Sequence, residues 1–215
     1  NIGNIENEQG NIKGAISNYQ DALRKFTSEN IILYQGRCYS KLANLYLKIG
    51  EFDIAENYIE NSINIGDEFN DKILLANSYF YRGLLNRKNK NPIQAIEDFE
   101  IASELFQDRL VARVIETKIE IAVSFIENEK TEDAVELLEE IVKNFQKDLF
   151  KDYMCLALSI LYAIKHEYKS NLYSLQDLID IYLNGESFKN GYRIAYYLFK
   201  SADNNKLKSA EQIAN

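Results

Sequence analysis

Chemistry in a chain of this length begins with its nucleophiles, bases and metal ligands, and here they are few and scattered. Among 215 residues there is one histidine, His166, and two cysteines, Cys38 and Cys155. A single histidine leaves no His-pair zinc site and no H-E-x-x-H helix. A Ser-His-Asp relay would have to use His166 at the end of an expected helix, between Lys165 and Glu167, where a solvated histidine is the simpler reading. Cys38 and Cys155 stand 117 positions apart in apolar helical contexts, as in Tyr153-Met154-Cys155-Leu156. They read as core cysteines, with no spacing for a metal knuckle or a disulfide framework. Glu136 and Glu140 are a carboxylate pair on an exposed helix, hence a solvated face. Asp67-Glu68-Phe69-Asn70-Asp71 offers oxygen ligands but lacks the central glycine and closing glutamate of a calcium loop. No Gly-rich strand-to-helix loop cradles a phosphate. The expectation is a non-enzymatic protein with no metal and no cofactor.

What positions these residues follows from composition. Hydrophobic residues make up 46% and charged residues 27%, enough to bury a core. One proline and nine glycines supply too little turn chemistry for a many-stranded sandwich or barrel, so the chain reads as all-α. A net charge of −8 argues against a nucleic-acid surface, which needs a clustered positive face. No apolar run of about 18 residues spans a membrane. Two cysteines without a framework fit a reducing, cytoplasmic setting. The first residue is Asn1 and the only methionine Met154, which reads as a start inside a longer chain.

A repeat organises the helices. Ala15, Ala55, Ala95 and Ala134 are spaced 40, 40 and 39 residues apart. Four residues after each stands a large apolar side chain: Tyr19, Ile59, Phe99 and Leu138. Three further on come Ala22, Ser62, Ala102 and Ile141, and twelve before each alanine come Gly3, Ala43, Gly83 and Ala122. Apolar positions at i, i+3, i+4 and i+7 mark one helical face, and small residues let antiparallel helices interlock. Each repeat is therefore a helix A, a turn and a helix B. In the second, helix A is expected over Ile31–Ile49 and helix B over Phe52–Ile65, with Gly50 at a C′ position that needs positive φ. Asn91-Pro92 and Thr131-Glu132-Asp133 mark helix starts in the third and fourth. After residue 147 the period fades, with helices expected at Asp152–His166, Leu172–Leu183, Tyr192–Asp203 and Leu207–Ala214. The first of these has no evident pairing partner, and the last could cap the array with a polar-backed helix.

These columns resemble the tetratricopeptide repeat (TPR), in the stretches Ile2-Gly3…Ala15…Tyr19…Ala22, Leu42-Ala43-x2-Tyr46…Ala55…Ile59, Gly83…Ala95…Phe99…Ala102 and Ile121-Ala122-x2-Phe125…Ala134…Leu138. The 40-residue spacing is similar to the long-repeat variety of kinesin light chains and Rap/NprR-type peptide receptors. The resemblance implies a right-handed α-solenoid of antiparallel helix pairs: four pairs over 1–147, the first truncated at its start, then degenerate TPR or Sel1-like helices over 148–215. In the latter, Leu178-x3-Tyr182…Ala195-x3-Phe199-x2-Ala202 looks like one more repeat with a turn lengthened through Asn184–Ser187. No tryptophan occurs, and Glu6, Arg82 and Asn86 stand in columns that are usually apolar. The third pair is thus expected to be the weakest link, or to be braced by partners of Arg82 and Asn86.

The resemblance also implies a concave groove lined by helix A. Carried over, its residues are Asn4 and Asn7 from the first repeat and Lys41, Asn44 and Lys48 from the second. The third gives Asn77, Phe80, Tyr81, Arg87 and Lys88, and the fourth Glu116, Glu120 and Glu127. Such a groove is amide-rich, then basic with aromatics, then acidic. Asparagine amides would pair with an extended backbone, Phe80 and Tyr81 would take an apolar anchor, and the charge gradient would set direction. The carboxylate clamp of chaperone-binding TPRs is not matched: Asn44 fits, but Ser40 stands for its lysine and Tyr81 for its next asparagine. The function expected is a scaffold or adaptor holding an extended protein or peptide segment. The alternative is the sensor half of a peptide-responsive Rap/NprR-like regulator whose output domain lies outside this chain.

Overall fold

The computed structural model describes residues 11–106, 110–144, 150–165, 170, 173–183 and 191–204, and among them it contains helices and no strand. The helices are α1 (Ile12–Ser28), α2 (Ile32–Ile49), α3 (Phe52–Glu68), α4 (Lys72–Lys88), α5 (Pro92–Phe106), α6 (Val111–Glu127), α7 (Thr131–Asn144), α8 (Lys151–Ile164), α9 (Leu175–Leu183) and α10 (Gly191–Asn204). Two compact units divide the chain, the first ending at Ser124 and the second beginning at Phe125, inside α6.

One turn recipe recurs. After α1, α3, α4 and α6 the middle residue of a three-residue connection is left-handed: Asn30, Asn70, Lys90 and Glu129, with φ of 54°, 49°, 61° and 61°. Each turn is closed by an amide reaching back over it. Ile31 N donates to Phe26 O at 2.8 Å, and Asp71 N to Gly66 O at 2.9 Å. Asparagine tolerates this conformation best among residues with a Cβ. The connection after α2 is shorter and uses Gly50 at φ 81°, the positive φ that its place after Ile49 demanded.

In the first unit each helix packs on the next from α1 to α5, and α2 also touches α4. The expected columns form its core. Ala15, Ala55 and Ala95 are fully buried, with Tyr19, Ile59 and Phe99 one turn further on. Gly83 shows why the preceding column is small: a Cβ there would lie 2.6 Å from the Phe99 ring, so α4 and α5 approach only through a glycine. Ser62 and Ser78 fill a similar seam between α3 and α4, where their hydroxyls sit 2.6 Å apart and Ser62 donates to the Gly36 carbonyl.

The third pair is braced from within. Asp98, buried on α5, accepts from Arg82 Nε at 3.0 Å and Nη2 at 2.6 Å, and from Asn86 Nδ2 at 2.8 Å. The two polar residues in apolar columns thus share one buried carboxylate. This bonding holds the Arg82 guanidinium above its already high ordinary pKa.

The second unit is built around α8. Every residue from Tyr153 to Ala163 is buried, so this helix is enclosed on all sides. It packs on α7, α9 and α10. The segment with no evident partner in the sequence has three. On α10 the inward column is Ile194, Leu198 and Ser201 rather than Ala195, Phe199 and Ala202, a shift of one residue that leaves Phe199 44% exposed. Inward aliphatic residues and an outward aromatic face replace the expected order. The helix expected at Leu207–Ala214 and the turn through Asn184–Ser187 lie outside the described residues.

Asp98→Ala should lower the unfolding free energy in urea by about 2 kcal/mol, because it strands Arg82 and Asn86 against a buried wall. The neighbouring exposed Glu97→Ala should cost less than about 0.5 kcal/mol. Equal costs would show that the buried carboxylate braces nothing.

Candidate functional site

Within the first unit, α1, α2 and α4 enclose an open cleft of about 560 Å³. Its walls follow from the repeat. α1 contributes Tyr19, Ala22 and Phe26 from the face that packs on α2. α2 contributes Tyr34, Arg37, Cys38, Ser40 and Lys41, and α4 with its cap contributes Asp71, Ile73, Leu74 and Asn77. The floor is apolar. Phe26 and Tyr34 lie tilted with ring centroids 5.1 Å apart, and Tyr34 at 48% and Ile73 at 39% stay exposed at the mouth.

Polar groups around the mouth are held in place. Asp71 is the N-cap of α4, its Oδ1 accepting from the amides of Ile73 and Leu74 at 3.1 and 3.0 Å. Its other oxygen takes Arg37 Nη2 at 3.3 Å, and the Arg37 guanidinium lies 5.2 Å from the Tyr34 ring centre. Asn77 donates to the Ile73 carbonyl at 2.7 Å and accepts from Arg113 Nη2 at 3.2 Å. Surrounding protein, then the charges of Arg113 and Lys48, push the Lys41 ammonium below its ordinary pKa. The Cys38 thiol is buried at the cleft wall, which pushes its pKa up to about 11.

Of the residues expected in a groove, Lys41 and Asn77 line this cleft. Asn44 is half-buried, and Lys48 and Lys88 are exposed elsewhere on α2 and α4. Phe80 and Tyr81 are buried: their rings meet edge to face at 5.8 Å, Phe99 packs on Phe80, and Arg113 lies 4.3 Å above the Phe80 ring. The charge gradient folds on itself, since Arg87 pairs with the buried Glu120 and Arg113 with Glu116 at 2.6 Å. Glu127 is exposed and belongs to the second unit. Asn4 and Asn7 lie outside the described residues, as does His166.

The sequence reading missed Tyr19, Phe26, Tyr34, Arg37, Asp71, Ile73 and Leu74. It looked for ligand contacts on helix A alone, whereas one wall of the cleft is a helix B. The available signal was Tyr34 and Ile73, apolar residues in the first turns of their helices outside the core period. Among the described residues no group of three or more His, Cys, Asp or Glu side chains could hold a metal ion, and no helix is long and apolar enough to cross a membrane.

The state of Cys38 is directly measurable. At pH 8 its thiol should react with a disulfide reagent at least about a hundredfold more slowly in the native chain than in urea, being both buried and protonated. Native Cys38 modified as fast as the unfolded thiol would mean that the cleft wall is open.

Known structures share this architecture. The nearly identical TPR-like repeats of a kinesin light chain candidate from Podosopora anserina match with a TM-score of 0.56, over 99% of this chain and 88% of that one, at 14% identity. A point variant of the same repeats matches over the same shares and at the same identity, with a TM-score of 0.57. BtubC (BKLC) from P. vanneervenii matches with a TM-score of 0.58 over 94% of this chain and 91% of that one, at 20% identity. No protein-family model matches the chain, and no curated protein does. Antiparallel helix pairs, the interlocking columns and these neighbours together give the chain the fold of the TPR-like repeat proteins, an all-α solenoid.

Proposed function

We propose that this chain is a protein-interaction scaffold whose first unit seats an extended segment of a partner in the cleft between α1, α2 and α4. The observation that carries the reading is the cleft itself. Its volume of about 560 Å³ suits one or two large side chains. Its floor is apolar, and the exposed Tyr34 and Ile73 offer rigid contact area at the mouth. Lys41 stands beside them as a donor for backbone carbonyls of an extended segment. The fold supports the same role, since the solenoids it resembles are built of TPR-like repeats. Asn77 acts in this reading as a wall residue, its amide being engaged by Ile73 and Arg113.

Selection from a random peptide display library on the immobilised chain tests the proposal. Peptides should enrich that carry a large apolar residue, and Asn77→Trp, which plugs the cleft, should weaken them by about tenfold or more. Ile73→Glu should do the same at the mouth, with both variants keeping the wild-type helical circular dichroism. Enriched peptides indifferent to both substitutions would place binding elsewhere and refute the proposal.

A further inference from the structure

Helix α10 carries a second surface of different character. Aligned on their inward columns, α3, α5, α7 and α10 present equivalent outward positions two before, two after and five after the first column residue. On α3 these are Asp53, Asn57 and Glu60, on α5 Ile93, Glu97 and Glu100, and on α7 Glu132, Glu136 and Glu139. Acidic residues dominate, as a solvated face requires. On α10 the same positions are Tyr192, Tyr196 and Phe199, exposed by 78%, 60% and 44%. They stand at i, i+4 and i+7, one stripe about 10 Å long at 1.5 Å rise per residue. The opposite face of α10 is fixed by Ile194, Leu198 and Ser201 in the core of the second unit. Three aromatic rings in a row where related helices carry carboxylates form an unpaired apolar surface.

From this stripe and its charged edge we infer that α10 docks an amphipathic helix of a partner protein that carries acidic residues beside its apolar stripe. The length fits, because two turns of a helix cover about 10 Å. The charge comes from Arg193 and the exposed Lys200, which lie along one edge of the stripe at about 80–100° from Tyr192 on the helical wheel. An acidic flank on the partner complements that edge and fixes its direction. A second copy of this chain fits less well. Antiparallel pairing through α10 would set the two basic edges side by side, and each chain brings a net charge of −8. A lipid surface also fits less well, because two basic residues are few for anionic headgroups and the protein as a whole is repelled by them.

The test uses the full chain and a display library of amphipathic helices with a fixed apolar stripe and randomised flanks, counter-selected on Tyr196→Glu. Tyr196 is exposed, so this variant should unfold within about two degrees of wild type. Aspartate and glutamate should enrich beside the stripe, binding should fall at least about tenfold on Tyr196→Glu, and Lys200→Glu should move the preference toward basic flanks. The inference is overturned by neutral or basic flanks on wild type, by no enrichment that depends on Tyr196, or by self-association in sedimentation that Tyr196→Glu abolishes. Binding of the chain to phosphatidylserine vesicles through Tyr196 would overturn it as well.

Discussion

Everything in this fold depends on how closely two helices can approach. At each crossing a small side chain on one element receives a large one from the next, and the spacing of the first unit is set there. The clearest case is Gly83, whose absent Cβ is replaced by the Phe99 ring of the next helix. The alanines of the helix B column are fully buried for the same reason, each roofed by a neighbour that a larger residue would push away. Because each contact involves only adjacent helices, stability accumulates locally, and surfaces off the column are free to vary. That freedom is where the cleft and the α10 stripe arise.

Polar residues inside the array obey the same closeness by different means. Arg82 and Asn86 would be faults in an apolar seam if nothing answered them. Asp98 answers both, at distances that exclude water from the carboxylate, and so the third pair is tied by directed bonds where its neighbours use hydrocarbon contact. Arg113 works similarly, spanning Glu116, Asn77 and the Phe80 ring. Charges that look like groove ornaments in a linear reading turn out to be bracing between helices.

The sequence made the helices, their order and their column legible, because 40-residue periodicity records a constraint applied again at every repeat. Gly50 and Pro92 marked helix boundaries through backbone geometry, which acts within a few residues. Cross-helix partners were not legible. That Arg82 meets Asp98, or Arg87 meets Glu120, depends on which way side chains leave helices 12 to 33 positions apart in the sequence. The site suffered most from this. Groove positions carried over from a family assume that helix A alone meets ligand, so Lys41 and Asn77 were found and the α1 wall was not. Phe80 and Tyr81 were expected at a surface because their column faces a groove in the family, yet here they pack under Arg113 and against Phe99. The end of the chain is a second case: α8 had no evident partner in the sequence because α10 begins 27 residues beyond its last residue.

The central claim is that the cleft of the first unit is a binding surface. Methyl NMR on isoleucine- and leucine-labelled chain, titrated with a peptide selected on the wild type, tests it most directly. The account predicts that the largest shift changes fall on Ile73 and Leu74, which line the cleft, while Leu156 and Leu158 in the core of the second unit stay still. Ile73 and Leu74 unmoved at saturation, with changes gathered on other methyls, would contradict it.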